Sequence, residues 1–234
     1  MLTSLTLRVR SLARRFGLIR VINRLRPVAN YEDRFHQSLK DAIRPGDHVW
    51  DIGANVGLYT ELFCQWVGPQ GSVTAFEPSP ESAESIRRRL PDCPWLEVEN
   101  VAVGKNDEMG QLVLTGSSVT NHLAGTKGEL DEDSCLVPVT ICRGDSIRNR
   151  LGRVPNIVKI DVEGLEEDVL EGMERMLDEP ALRGIFMEVH FHVLELRGER
   201  AAPIRIEKKL RARGFKTEWV GASHLRANRI KNPS

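Results

Sequence analysis

Two groups of residues in this 234-residue chain have the types and spacing to do chemistry. The first is Asp51-Ile52-Gly53-Ala54-Asn55-Val56-Gly57, followed twenty residues after Gly57 by Glu77. Glycines let a backbone turn tightly and approach a ligand, and the free N–H groups at a helix start favour an anionic group. An acid at the end of the next strand can accept hydrogen bonds from both hydroxyls of an adenosine ribose. Together these describe a nucleoside cofactor. A dinucleotide fingerprint running from Gly53 needs glycines at 55 and 58, where Asn55 and Leu58 stand and crowd a pyrophosphate. Nicotinamide cofactors are disfavoured. The acid-x-Gly-x-x-x-Gly spacing suits S-adenosylmethionine instead, whose amino-acid end is small and carries an amine that Asp51 can help hold.

The second group gathers around Asn156-Ile157-Val158-Lys159-Ile160-Asp161, an apolar run in which Lys159 and Asp161 share one face of a strand. A lysine in such a run needs a carboxylate or solvent, since an unpaired buried charge is expensive. Asp161 and Glu163 lie where this strand ends, the edge at which open α/β sheets bind ligands. On the next strand Glu188, His190 and His192 alternate onto one face, so Asp161, Glu163, Glu188 and His190 are expected to converge. Three uses are open. A carboxylate or imidazole takes the proton of an attacking oxygen as general base; Asp161 and Glu188, with or without His190, hold a divalent cation such as magnesium; or Lys159 pairs with Asp161 and the histidines are structural.

From about residue 31 to 220 the chain resembles the FkbM-type S-adenosylmethionine-dependent methyltransferases. The resemblance rests on DIGANVGLYT at 51–60, FEP at 76–78, NVAVG at 100–104, KIDVEGLEEDVLEGM at 159–173 and FMEVH at 186–190. It implies a Rossmann-like α/β fold with a seven-stranded, mostly parallel sheet. It also implies methyl transfer, usually to an oxygen of a sugar, glycan, lipid or polyketide-type metabolite. Carried over by position, the cofactor set is Asp51, Gly53, Ala54, Asn55, Gly57, Thr60, Glu77 and Pro78. Family members often carry an acidic pair near Asp145, where this chain reads Arg143-Gly144-Asp145-Ser146.

The elements that position these groups follow from periodicity. Short β-branched runs alternate with stretches of helical period, which predicts a parallel sheet covered on both faces. Strands are expected at 48–52, 71–76, 96–103, 111–114, 136–141, 156–161, 184–190 and 215–220. Helices are expected at 56–66, from 79 or 81 to 90, at 165–177 and at 204–213. Residues 104–134 look like an insertion carrying a loop. Glu166, Glu167, Asp168 and Glu171 read as the solvated acidic face of their helix. His122 in the insertion is expected to be exposed, and Arg143-Gly144-Asp145 is taken as a chance tripeptide.

Residues 1–30 hold seven arginines and no acid, with apolar residues at helical spacing. They are expected to form a basic amphipathic helix packed on the domain, with contact to an anionic membrane surface the less favoured use. The 33 basic and 33 acidic side chains cancel, which argues against a nucleic-acid partner. Cys64, Cys93, Cys135 and Cys142 have no zinc-site spacing. No apolar run reaches the roughly 20 residues that cross a bilayer. The expectation is a soluble cytoplasmic enzyme acting on a small-molecule or glycan acceptor, with methylation of a macromolecule, or a nucleoside-binding scaffold without catalysis, as the alternatives.

Overall fold

A computed structural model of the chain describes residues 29–114, 122–123 and 135–230. The basic segment through residue 28, and most of the insertion beyond 114, lie outside the described residues. The described chain opens with α1 (Ala29–Ala42) and enters the sheet at β1 (His48–Ile52). Then follow α2 (Leu58–Val67), β2 (Ser72–Phe76), α3 (Pro80–Arg89), β3 (Leu96–Glu99), β4 (Ala102–Gly104), β5 (Glu108–Leu114) and β6 (His122–Leu123). After the insertion come β7 (Cys135–Arg143), α4 (Gly144–Leu151), β8 (Ile157–Ile160), α5 (Glu166–Gly172), β9 (Gly184–Glu188) and α6 (Phe191–Leu196). The described chain closes with α7 (Ala202–Ala212), β10 (Phe215–Trp219) and β11 (His224–Arg229).

The main sheet has seven strands in the order β10-β11-β9-β8-β1-β2-β3. Its strands are parallel except β11, which runs antiparallel to both neighbours. Alternation along the central strands sends residues to two cores. Trp50, Ile52, Val158, Ile160, Ile185 and Met187 pack against α5, α6 and α7, while Val49, Val73, Ile157 and Phe186 pack against α1 and α2. Each central strand places apolar residues on both faces, as a sheet covered by helices on both sides requires. A second sheet of order β4-β7-β5-β6 stands beside it, with β4 in contact with α5.

The run expected to be one strand at 96–103 is two. Asn100 and Val101 break it, and β4 leaves for the second sheet. The helix expected over 165–177 stops at Gly172 and resumes as a single 3₁₀ turn at Met176–Asp178. At that end a Cβ on Gly172 would lie 1.9 Å from the Gly104 carbonyl oxygen, so α5 rests directly on β4. The strand expected over 184–190 ends at Glu188. His190 is instead the residue before α6, and His192 belongs to that helix. α1, α4, α6, β6 and β11 have no counterpart in the periodicity.

Candidate active site

At the carboxyl ends of β1, β2, β8 and β9 lies a cavity of about 280 Å³. The second sheet closes one side of it with Ala102, Val103 and Leu112. β1 hands over to α2 through a turn in which Gly53 and Ala54 both donate backbone N–H bonds to the Phe76 carbonyl, at 3.0 and 3.1 Å. Gly53 sits at φ +76°, and a Cβ there would come within 1.8 Å of the Asp161 carbonyl oxygen. Only glycine serves where the conformation is left-handed and another strand end presses this close. The same turn carries Asn55 at φ 51°.

Glu77 directly follows β2 and lines the cavity. One of its oxygens accepts the Asn55 N–H at 2.7 Å and the other the Ser79 N–H at 2.9 Å. Burial pushes its carboxyl above the usual range, an effect these two bonds oppose. Pro78 lines the cavity as well, and the buried Asn55 Oδ1 has no partner among the described residues. Ala54 and Gly57 shape the turn and Thr60 lies in α2, and none of the three lines the cavity. Gly57, at φ +82°, caps α2.

Asp51 lies behind that cavity rather than in it. It is fully buried, and β1 pairs with β8 so that Asp51 stands beside Lys159. Asp51 Oδ2 accepts the Thr60 hydroxyl at 2.7 Å, and Oδ1 lies 3.3 Å from Lys159 Nζ. Direct contact between Asp51 and a donor's amine, expected from the sequence, therefore gives way to an indirect role: Asp51 holds Lys159.

Lys159 in turn lies 3.3 Å from Asp161 Oδ2 and donates to the Gly53 carbonyl at 3.3 Å. Burial alone lowers its pKa, but Asp51 and Asp161 together outweigh burial and hold the ammonium above the usual lysine range. Asp161 Oδ1 is 3.6 Å from His190 Nε2, and Glu163 Oε1 is 3.7 Å from the same nitrogen. On the far side of the ring, His190 Nδ1 donates to Glu166 Oε1 at 2.7 Å. Asp51, Lys159, Asp161, His190 and Glu166 thus form a row of alternating charge across the ends of three adjacent strands. Burial opposes charging His190, but Glu166, Glu163 and Asp161 prevail and push its pKa up to about 9.

The raised value has a consequence for stability. A group whose pKa is higher folded than unfolded stabilises the fold fully below its unfolded pKa, near 6.5, and loses that contribution as pH rises through about 9. Urea unfolding is expected to show stability falling between pH 6.5 and 9 in wild type, with a flatter dependence in His190→Gln. Parallel curves for the two proteins would refute the charged assignment.

Glu188 reaches the cavity from the end of β9. Its Oε2 lies 3.6 Å from Nε2 of the buried His224 on β11, and this histidine holds the Glu188 carboxyl below its usual range. Ligand atoms of Asp161, Glu188 and His190 lie within 4.8 Å of one another. The chemistry of that trio does not fit a divalent cation well, however. Lys159 stands against one oxygen of Asp161, and His224 faces Glu188. No step is therefore assigned to a metal.

Two residues of this network carry no distinguishing signal in the sequence. Glu166, expected on a solvated face, is fully buried, whereas Glu167 pairs with Arg205 and Glu171 with Lys105 and Lys209 as a surface face should. His224 lies on the unforeseen strand β11. Asp145 is structural, accepting the backbone N–H groups of Arg175 and Met176 at 3.1 and 3.0 Å, and its burial keeps the Arg143-Gly144-Asp145 stretch from presenting a receptor motif.

A model of the FkbM methyltransferase domain matches residues 51–217, which include all of these cavity acids. The chain belongs to the FkbM methyltransferase family. It is 27% identical over 167 residues to hexuronic acid methyltransferase AglP of Haloferax volcanii, a match spanning 71% of this chain and 65% of that protein. It is 27% identical over 188 residues to 31-O-demethyl-FK506 methyltransferase FkbM of Streptomyces tacrolimicus, spanning 68% and 72%. Among solved structures it is similar to a Streptococcus mutans protein described as a methyltransferase, in complex with SAH (TM-score 0.56, 9% identity, 86% of this chain and 98% of that one). Aeropyrum pernix fibrillarin with natively bound S-adenosyl-L-methionine is also similar (TM-score 0.50, 12% identity, 81% and 68%). This FkbM-family member therefore has the class I methyltransferase fold. Among its described residues no helix is long and apolar enough to cross a membrane.

Proposed function

We propose that this FkbM-family chain transfers a methyl group from S-adenosylmethionine to a hydroxyl of a glycan or other small-molecule acceptor. The observation that carries the reading is a single cavity with Glu77 on one wall and Asp161 on another, joined by the Gly53 turn. The residues fit the donor. Glu77 retains acceptor capacity for a ribose diol, Asn55 offers an unpartnered buried oxygen, and Gly53 lets the chain pass where a side chain would not. When bound, S-adenosylmethionine supplies the electrophilic methyl carbon.

The chain's own groups do the rest. Asp161, 30% exposed and flanked by Lys159 and His190, accepts the hydroxyl proton on a carboxylate oxygen as the acceptor oxygen attacks. Its two cationic neighbours fix its position, and positioning supplies much of the rate. His190, held by Glu166 from behind and pushed up in pKa by the surrounding carboxylates, stands 3.6 Å from Asp161 as its cationic neighbour, and the role of base falls to Asp161. The names of the two curated relatives support an oxygen acceptor.

Calorimetry tests the donor half. Wild type is expected to bind SAH, and Glu77→Ala to weaken binding by about 1.5–3 kcal/mol, roughly 10- to 150-fold, the range for hydrogen bonds to a charged group. Equal affinity in both proteins, or tighter binding of a nicotinamide cofactor, would overturn the assignment.

A further inference from the structure

We propose that Glu166 is a positioning residue of this site, fixing the His190 ring from behind so that Nε2 faces Asp161 and Glu163. The inference rests on the methyl-transfer reading for its catalytic consequence, but its geometric content stands apart from that reading.

Glu166 is the first residue of α5 and has no exposed surface. Its Oε1 accepts two N–H groups, Gly164 at 2.9 Å and His190 Nδ1 at 2.7 Å. Its Oε2 is buried with no partner among the described residues. A carboxylate kept out of water with one oxygen unsatisfied is expensive, and a packing role would be met more cheaply by an uncharged side chain. The return is control of one ring. With Nδ1–H committed to Glu166, the imidazole cannot turn over, and Nε2–H is left to the carboxylates in the cavity.

The groups facing that ring come from three elements. Glu166 faces it from α5, Asp161 and Glu163 from the turn after β8, and Glu188 stands near from the end of β9. The turn itself is held by Arg197, whose guanidinium donates to the Gly164 carbonyl, so Glu166 and Arg197 clasp the same loop from opposite sides of Gly164. Gly164, at φ +93°, packs its α-carbon where a Cβ would meet Val193 at 2.6 Å, which brings α6 and His190 within reach of α5. Glu166 thus acts on the reaction through His190 and Asp161 without touching the cavity.

The test compares wild type with Glu166→Gln, a change that keeps the shape and can keep both accepted bonds while removing the charge. In wild type, nitrogen-resolved NMR at neutral pH is expected to show His190 protonated on both nitrogens, with a strongly downfield Nδ1 proton. In Glu166→Gln that signal should move upfield and the ring should lose its second proton at lower pH. SAH affinity should stay within about twofold. With any hydroxyl acceptor that wild type methylates, kcat should fall tenfold or more while KM stays within about threefold, and Glu166→Asp should recover part of the loss. In a His190→Gln background, Glu166→Gln should cost nothing more. Should Glu166→Gln fail to fold, Glu166→Asp and the His190→Gln background carry the same comparison. Identical His190 signals and identical kcat in wild type and variant would overturn the proposal. Absence of turnover in wild type with every acceptor would sink the methyl-transfer reading while the NMR comparison still decides this one.

Discussion

Lys159→Met is expected to cost about 3–5 kcal/mol of stability, the range for removing one partner of a buried ion pair. At this chain length that corresponds to a fall in Tm of roughly 6–20 °C. The reason lies with the residue left behind. Asp51 is fully buried, and with Lys159 gone its Oδ2 keeps only the Thr60 hydroxyl while Oδ1 faces no cation. Methionine fills the space of the lysine stem, so the loss reports charge and not a cavity. Asp51→Asn added to Lys159→Met should restore a large part of the stability, because the orphaned charge is then gone. Calorimetric unfolding of the two variants decides it. A Lys159→Met protein within about 1 kcal/mol of wild type would mean that water reaches Asp51 and that the charge row is loosely built.

That ion pair also shows what is legible in the sequence and what is not. The apolar run around Lys159 announces a strand, and its lysine announces a need for a carboxylate, but only the nearer candidate, Asp161, is visible. The pairing of Asp51 with Lys159 depends on the register between β1 and β8, two strands more than a hundred residues apart, and a single sequence does not record register. The glycine turn and Glu77 are readable because their constraint is local: a left-handed turn at a strand end, then an acid at the next strand end. Glu166 escapes because its neighbours Glu167 and Glu171 do lie on a surface face, and helical spacing does not distinguish the one acid that points at a histidine from those that meet Arg205 and Lys105. β11 escapes because His224-Leu225-Arg226-Ala227-Asn228-Arg229 has too little apolar content to read as a buried strand. It is half covered, pairing antiparallel with both neighbours, and its polar residues answer local needs: Arg229 donates to three backbone carbonyls, and His224 meets Glu188.

Asp161→Asn should reduce methyl transfer by at least about 10²-fold, the lower end of what a general base contributes, while leaving SAH binding nearly unchanged. The substitution keeps the side chain's shape between Lys159 and His190 but removes the group that takes the proton. Glu188→Gln separates Asp161 from Glu188, two of the four carboxylates that line the cavity. Held by His224 at the edge of the site, Glu188 is expected to help seat the acceptor, so its amide variant should raise KM more than it lowers kcat. The opposite outcome, a large kcat loss in Glu188→Gln and a small one in Asp161→Asn, would move the base from β8 to β9. Because Asp161 is also a counter-charge, Asp161→Asn leaves Lys159 with Asp51 alone. Its unfolding curve must therefore be measured beside its turnover, and a folded, donor-binding, inactive protein is the result expected. Exhaustive EDTA treatment should leave wild-type activity intact, since Lys159 and His224 already occupy the carboxylates that a cation would need. Loss restored by magnesium or manganese would show instead that these ion pairs open to admit a metal. If both amide variants fold, bind SAH and methylate at the wild-type rate, the acids at this sheet edge hold the structure together and take no part in the chemistry.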